Sequence, residues 1–503
     1  MIKNIFKRNI IFISIFILIF TFDRLSKLYI LNLAEINGTL NLFVTPFLNF
    51  YLIWNKGIAF GLFSFDQNFI YNLITFLIVL ITVIILIVAV RSKDYKGYFF
   101  ISIFSGSALG ASKKSADGKG GELKVGRGVD LKTKTIKIGT LNDESGRAAL
   151  IGKPYALGKR ILAKAVNAGE VKILPEGWKV ELVERDHGYN PQKSVQSLKQ
   201  MQDDILFIAT SFGTPTTLPL VPHLESSEII AFPASLSSLM AANRQTPPVG
   251  PSYTIEAKRA MDWVVKSSKD KASLKVAIIY QNDDYGKDGL KGWREGAKKH
   301  NLKIVSEQPT KPGQKDMTAV ISSLKSAGAN HILLSVLPSA TGPILGTAAK
   351  MKYMPKWIGS TPAWIDAFFS PKLIPVKARA MFMNYYQCSG TPYFGEKLPG
   401  MDKFMNAFKK YGGKARQDSY TLLSYIQGLA ALEVAKRAIS NGDITRAGYA
   451  KSLAALDNWD ANGFIQPLSF KKFPYSAGTR VRVLKPDFEK SSWKVVAGYA
   501  ESE

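Results

Sequence analysis

Cysteine is nearly absent: Cys388 stands alone in 503 residues, which excludes an internal disulfide framework and any metal site built on several thiolates. Histidine is scarce too. His187, His223, His300 and His331 are the whole supply and leave little for a His-based metal centre. Acid is in deficit, with 39 Asp+Glu against 66 Lys+Arg and a formal charge of +27. There is no Walker A loop, no Gly-x-Gly-x-x-Gly after a strand and no Gly-x-Ser-x-Gly elbow, so enzyme chemistry of those kinds finds no foothold. His187, in a turn beside Asp186, reads as a surface histidine rather than a base. The lysines are scattered along helical stretches, as in Lys298-Lys299 and Lys409-Lys410, without the basic–aromatic motifs of nucleic-acid modules. No nucleic-acid partner, cofactor or metal is expected. The basic surface reads as solvated and suited to anionic ligands or an anionic membrane.

What the chain does have is unevenly spread. Mean hydropathy is close to zero, yet it averages two different halves. Ile10–Phe22 is an almost unbroken apolar run, and Phe69–Val90 is a longer one. The second is long enough to cross a hydrocarbon core of about 30 Å as a helix, and the first is if it continues through Leu25 and Leu28. Asp23, Arg24 and Lys27 follow the first run where a cleaved signal would show small residues. Lys3, Lys7 and Arg8 precede it, and Arg91, Lys93 and Lys96 follow the second run. Both outer ends therefore read as cytoplasmic, with Leu31–Gln67 looping out on the far side. Tyr98–Ala111 is a third, shorter apolar stretch. The first 100 residues hold nine Lys/Arg and four Asp/Glu, so +22 of the +27 belongs to the remainder.

Asp23 and Lys27, four apart, share a helix face and can pair, either as an interfacial anchor or as part of a site. Asn55 and Gly57 lie in Trp54-Asn55-Lys56-Gly57-Ile58-Ala59-Phe60-Gly61, whose two glycines suggest a tight bend beside the membrane. Asp23-Arg24-Leu25-Ser26-Lys27 and Asn55-Lys56-Gly57-Ile58-Ala59-Phe60 together resemble the first-helix and periplasmic-loop motifs of signal peptidase II over residues 1–111. That family is an intramembrane aspartic peptidase, and two later aspartates carry its chemistry. Where the first of these is expected, the chain reads Gly110-Ala111-Ser112-Lys113-Lys114, and neither aspartate follows. The resemblance therefore implies a partial domain without peptidase activity.

Residues 112–133 read as a flexible, Lys- and Gly-rich linker. Tyr98–Ala111 before it is either a truncated third membrane helix or the tail of a second signal peptide. The abrupt change of pattern is also what a gene fusion or an artefact of sequence assembly would give. Ser112 stands where a lipobox would need cysteine, so lipid attachment is not supported.

From Thr135 strands alternate with helices. Strands are expected at 136–141, 179–184, 206–210 and 229–232, and the rhythm restarts at 275–280, 303–307 and 331–335. This pattern implies an α/β fold with parallel sheets in two lobes. Ligands in such sheets bind at the carboxyl ends of strands. The loops there supply Ser145, Gly213, Thr214, Ser235, Ser237, Tyr285, Thr361 and Trp364 as candidate ligand-binding residues. Their hydroxyls could cradle a carboxylate, although Ser and Thr at helix starts usually serve only as N-caps.

The series Asp186-His187-Gly188-Tyr189-Asn190-Pro191, Phe212-Gly213-Thr214-Pro215-Thr216-Thr217, Phe232-Pro233-Ala234-Ser235 and Asp283-Asp284-Tyr285-Gly286-Lys287-Asp288-Gly289 resembles the Leu/Ile/Val-type periplasmic substrate-binding proteins of ABC transporters over residues 134–503. The resemblance implies a type I periplasmic-binding-protein fold. Its two Rossmann-like lobes are about 134–256 plus 382–462 and about 257–381 plus 463–503, and they close on a hinge around a small ligand. It also implies that the Gly213-Thr214 and Ser235–Ser237 loops hold a ligand carboxylate. The expected partners are a small molecule, an ABC permease and, through the N-terminal helices, the lipid bilayer. The expected location is the inner membrane with the binding domain periplasmic if 98–111 spans, while the lysines after Ala111 favour the opposite side. A ligand-sensing domain of the same fold is the alternative. One departure stands out: Gly359-Ser360-Thr361-Pro362-Ala363-Trp364 carries no carboxylate, where amino-acid binders of the family often place one. A branched-chain amino acid, an amide and an organic acid are thus all candidate ligands.

Overall fold

The computed structural model describes residues 123–502 apart from 476–477, and in the N-terminal region only Thr21, Leu25, Asn41–Thr45 and Leu48–Tyr51. Asp23, Lys27, Asn55, Gly57 and the three apolar runs lie outside the described residues. Asn41–Thr45 and Leu48–Tyr51 pair antiparallel, with Leu42 opposite Phe50. Among the described residues no helix is long and apolar enough to cross a membrane. The chain divides after Gly121 into two units, and the second, Glu122–Glu503, holds two lobes.

The first lobe is built on β1 (Thr135–Asn142), β2 (Lys179–Asp186), β3 (Phe207–Phe212) and β4 (Ala231–Ala234). All pair parallel in the order β2-β1-β3-β4. Every residue of β3 is buried, as befits a central strand covered on both faces. Helix α1 (Ala149–Asn167) follows β1, and α2 (Pro191–Met201) follows β2. Pro191 opens α2 and the Asn190 side chain accepts from Lys193 N at 3.0 Å, so the Asn-Pro pair acts as a start signal.

Helix α3 (Tyr253–Ser267) leads into the second lobe. Its sheet holds β5 (Val276–Gln281), β6 (Ile304–Thr310), β7 (His331–Ser335), β8 (Lys356–Gly359) and β9 (Tyr385–Ser389), parallel in the order β6-β5-β7-β8-β9. The strand order thus repeats in both lobes. In β5, Val276 and Ile278 enter one core with Trp293 and Leu333, while Ala277 and Ile279 enter another with Ile332 and Trp357. Helices α4 (Asp284–Lys299), α5 (Thr318–Ser326) and α6 (Pro338–Lys350) connect the strands.

The chain then returns to the first lobe through α7 (Met401–Tyr411), α8 (Ser419–Ser440) and α9 (Arg446–Ala454). Helix α8 is apolar nearly all round and is buried between α1 and the rest of the lobe. The last strands, β10 (Val481–Asp487) and β11 (Ser492–Ala500), add antiparallel to β9 in the second sheet. Two boundaries differ from the sequence reading. Tyr385–Ser389 pairs in the second sheet, not the first lobe. Phe464, Leu468, Phe470 and Tyr475 pack into the first core rather than the second. Apolar side chains decide both, since β9 extends a half-built sheet and Phe470 and Tyr475 pack edge to face in the first core, ring centres 5.5 Å apart.

The linker is also shorter than its composition suggests. Lys124–Val125 pairs parallel with Asp443–Ile444, and Val129–Asp130 pairs antiparallel with the start of β1. Leu123 and Val129 pack on the first core, which ties this segment down despite its lysines and glycines.

Three crossings join the lobes, near residues 246–252, 390–400 and 478–480. They meet at Pro251, Gly390 and Gly478. A Cβ at Gly390 would lie 2.0 Å from Pro251 Cγ, and one at Gly478 would lie 3.3 Å from the Pro251 ring. Arg482 joins the same region, reaching Glu396 at 2.7 Å and the Thr391 carbonyl at 3.0 Å.

Candidate functional site

The carboxyl ends of the two sheets face each other across a cavity of about 610 Å³, counted out to its mouth. From the first lobe come Tyr155 and Ile151 of α1, Tyr189, Phe212, the Gly213-Thr214 turn, Ser235 and Leu236. From the second come Tyr285, Leu337, Thr361 and Pro362. Tyr253 closes the hinge side, and Tyr420, Leu423 and Gln427 reach in from α8. No Asp, Glu, Lys, Arg or His lines it among the described residues. The walls are aromatic and aliphatic, with a few hydroxyls and one amide.

The hydroxyls are placed by backbone. Gly213 has φ 90°, a conformation that favours glycine, and it turns the chain from β3 into the short helix Thr214–Thr217. Thr214 Oγ1 then lies 2.7 Å from Ser235 Oγ at the end of β4. One proton of that pair is taken by the other hydroxyl, and the Ser235 hydroxyl also meets Tyr253. Across the cleft, Tyr285 hydroxyl sits 2.9 Å from Ser360 Oγ, and Tyr420 hydroxyl donates to the Thr361 carbonyl at 2.8 Å.

Of the residues singled out in sequence, Gly213, Thr214, Ser235, Tyr285 and Thr361 are brought together around this cavity. Ser145 is not: it is exposed, and its hydroxyl turns to Asp186. Ser237 caps the helix Ser238–Ala241 by accepting from Leu239 N at 3.2 Å. Trp364 lies in an aromatic cluster of the second lobe, 4.7 Å from Trp493 and 5.1 Å from Tyr385, and faces a neighbouring chamber instead. His187 corrects the sequence reading as well. It is fully buried, accepts from Tyr189 N at 3.0 Å, and burial pushes its pKa down to about 4. Tyr155, Tyr189, Tyr253, Tyr420 and Gln427 were missed. Tyr189 sits inside the Asp186–Pro191 motif, but Tyr420 and Gln427 come from α8, far along the chain from Ser235, where no local pattern marks a site.

Two buried ionisable groups stand behind the walls. Glu256 of α3 is fully buried, accepts from Thr361 N at 3.0 Å and from Thr361 Oγ1, and burial pushes its carboxyl up to about 8. Lys159 of α1 is 2% exposed and donates to Ser424 carbonyl at 2.6 Å and Gln427 Oε1 at 3.0 Å. Burial holds its amine well below the usual lysine range. The lobes also touch directly. Asp288 of α4 accepts from Ser238 N at 3.0 Å and from its hydroxyl, and Asp366 accepts from Ser419 N at 2.7 Å.

Residues 15–112 match the model of the signal peptidase (SPase) II family. In the same region the chain is 47% identical over 108 residues to the lipoprotein signal peptidase of Pelagibacter ubique (strain HTCC1062). That match covers 22% of this chain and 62% of the relative, so the chain spans less than two thirds of that relative's length. Downstream, it is 25% identical over 315 residues to the Leu/Ile/Val-binding protein homolog 7 of Brucella suis biovar 1 (strain 1330), covering 59% of this chain and 76% of the relative. A solved structure, the fatty acid ABC transporter substrate-binding protein from Thermomonospora curvata, superposes with a TM-score of 0.68 at 26% identity, covering 76% of this chain and 95% of that one. The family model described as periplasmic binding protein matches residues 135–480, the whole two-lobed unit up to its last strands, and the chain belongs to that family.

Proposed function

We propose that this chain is the solute-binding component of an ABC-type uptake system, tethered to the inner membrane by its N-terminal segment, with the two-lobed module on the periplasmic side. The carrying observation is the interlobe cavity, lined from both sheets at their carboxyl ends and free of charged side chains among the described residues. A ligand held there touches both lobes, so it favours the closed arrangement and gives a permease one shape to recognise. The wall chemistry fits a small solute with an apolar body and a polar end that meets the Thr214 and Ser235 hydroxyls. The names of the relatives run from leucine-type ligands to fatty acids, and both have a carboxyl group on an apolar body. Branched-chain amino acids, their amides and organic acids form the test panel.

A ligand that binds only the native state raises the melting temperature, by an amount set by its concentration over its dissociation constant. The purified full chain in detergent, screened against that panel, is expected to show a shift of several degrees with at least one solute. No shift with any solute would overturn the reading. The signal-peptidase-II-like segment acts here as anchor, without peptidase activity. Cleavage of a prolipoprotein by the expressed chain, lost in Asp23→Asn, would show otherwise.

A further inference from the structure

Lys159 is the one lysine among the described residues in the fully buried class, and its hydrogen-bond partners are all neutral. Nζ donates to Ser424 carbonyl at 2.6 Å and Gln427 Oε1 at 3.0 Å, with Ser424 Oγ at 3.3 Å. It also lies over a ring, that of Tyr155, whose centre is 5.3 Å away and whose face lines the cavity. Among the described residues no carboxylate pairs with it, because the acids on the packed elements are engaged elsewhere. On its own helix, Arg160 pairs with Glu144 and Glu184, the latter from β2. On α8, Glu433 pairs with Lys436 and Arg437. On α7, Lys410 pairs with Glu170. A buried lysine with no charged partner is costly to hold in its charged form. The site keeps one nonetheless, a single hydrogen bond behind the cavity wall.

Gln427 is the link. Lysine, charged or neutral, donates to its Oε1, so the amide cannot flip. Its Nε2 therefore faces Pro233 carbonyl at 2.8 Å, and the second N–H is left over. Resting on the solute-capture reading above, we propose that the cavity selects a carboxylate without an ammonium group, and that Lys159 is the positioning residue that orients Gln427 and supplies the balancing charge. The opposite wall agrees. Its buried acid, Glu256, is pushed towards the protonated form by burial and is turned to Thr361, away from any ammonium in the cavity. The three partners of Lys159 suit either protonation state, because the Ser424 hydroxyl can donate to an amine or accept from an ammonium. An anion in the cavity favours the charged form, so binding takes up a proton.

The test compares isocaproate, isocaproamide and leucine, which share one carbon skeleton, by calorimetry on the full chain. Wild type is expected to bind isocaproate at least about tenfold more tightly than either of the others, with affinity for isocaproate alone falling as rising pH strips the proton from Lys159. Lys159→Met is expected to fold and to lose the preference and its pH slope. Lys159→Gln, which keeps a donor to Gln427, should lose the pH slope while retaining part of the affinity. Leucine or isocaproamide binding as tightly as isocaproate overturns the proposal but leaves solute capture standing, and so does a preference that survives in both variants. Failure of every solute in the wider thermal panel overturns both.

Discussion

Glu256 shows how a single buried side chain sets a condition on the whole protein. Its carboxyl is raised from 4.5 to about 8 by burial. A group raised in the folded state stabilises the fold fully below its unfolded pKa, and that contribution is lost as pH rises through the folded value. The loss falls between 4.5 and about 8, at up to ~1.4 kcal/mol per pH unit. Wild type should therefore melt several degrees lower at pH 9 than at pH 6. Glu256→Gln, with no charge to expose, should show a smaller drop. Equal slopes in the two proteins would mean that the carboxyl is ionised in the fold. Residue-scale legibility was uneven. Gly213, Thr214 and Ser235 could be found because a strand end followed by Gly-Thr or Ser is a local pattern. Ser237 carried the same signal and is a cap, and only the three-dimensional direction of its hydroxyl separates the two. Glu256 and Lys159 gave no signal, because a charge in a helix looks solvated until packing covers it.

At the scale of elements, the strand and helix order was legible, since period-two and helical patterns alternate cleanly from Thr135 onward. The return to the first lobe was not. Nothing in Tyr385–Ser389 says which sheet it joins, and the answer lies in β8 and β10 on either side of it. The crossings were equally silent, although their glycines mark them once the neighbours are known. Gly390→Ala would place a methyl 2.0 Å from the Pro251 ring, so the crossings must part. The expected cost is about 1–3 kcal/mol of stability, the range for overpacking a tight site. A shift in the distance distribution from small-angle scattering should accompany it. Gly498→Ala, with nothing within 4 Å, is the matched control and should change neither. A melting temperature unchanged by Gly390→Ala would show that the crossings do not pack as described.

At the scale of the molecule, the lone cysteine becomes a reporter. Cys388 is fully buried, burial pushes its thiol up, and β10 covers it with Val483 directly opposite. Alkylation in the native protein should run at least ~1000-fold slower than that of a free thiol, because it must wait for the last two strands to leave. Val483→Pro removes a strand N–H and should speed it strongly. Fast labelling of wild type would mean that β10 and β11 are not held.

The three crossings also fix an order of events. The first lobe needs α7 to α9 and Tyr475 for its core, and the second needs β10 and β11. As the chain emerges from the ribosome, the first lobe must wait for Tyr475 and the second for β10 and β11. Each lobe therefore stays unfinished through most of the module's synthesis.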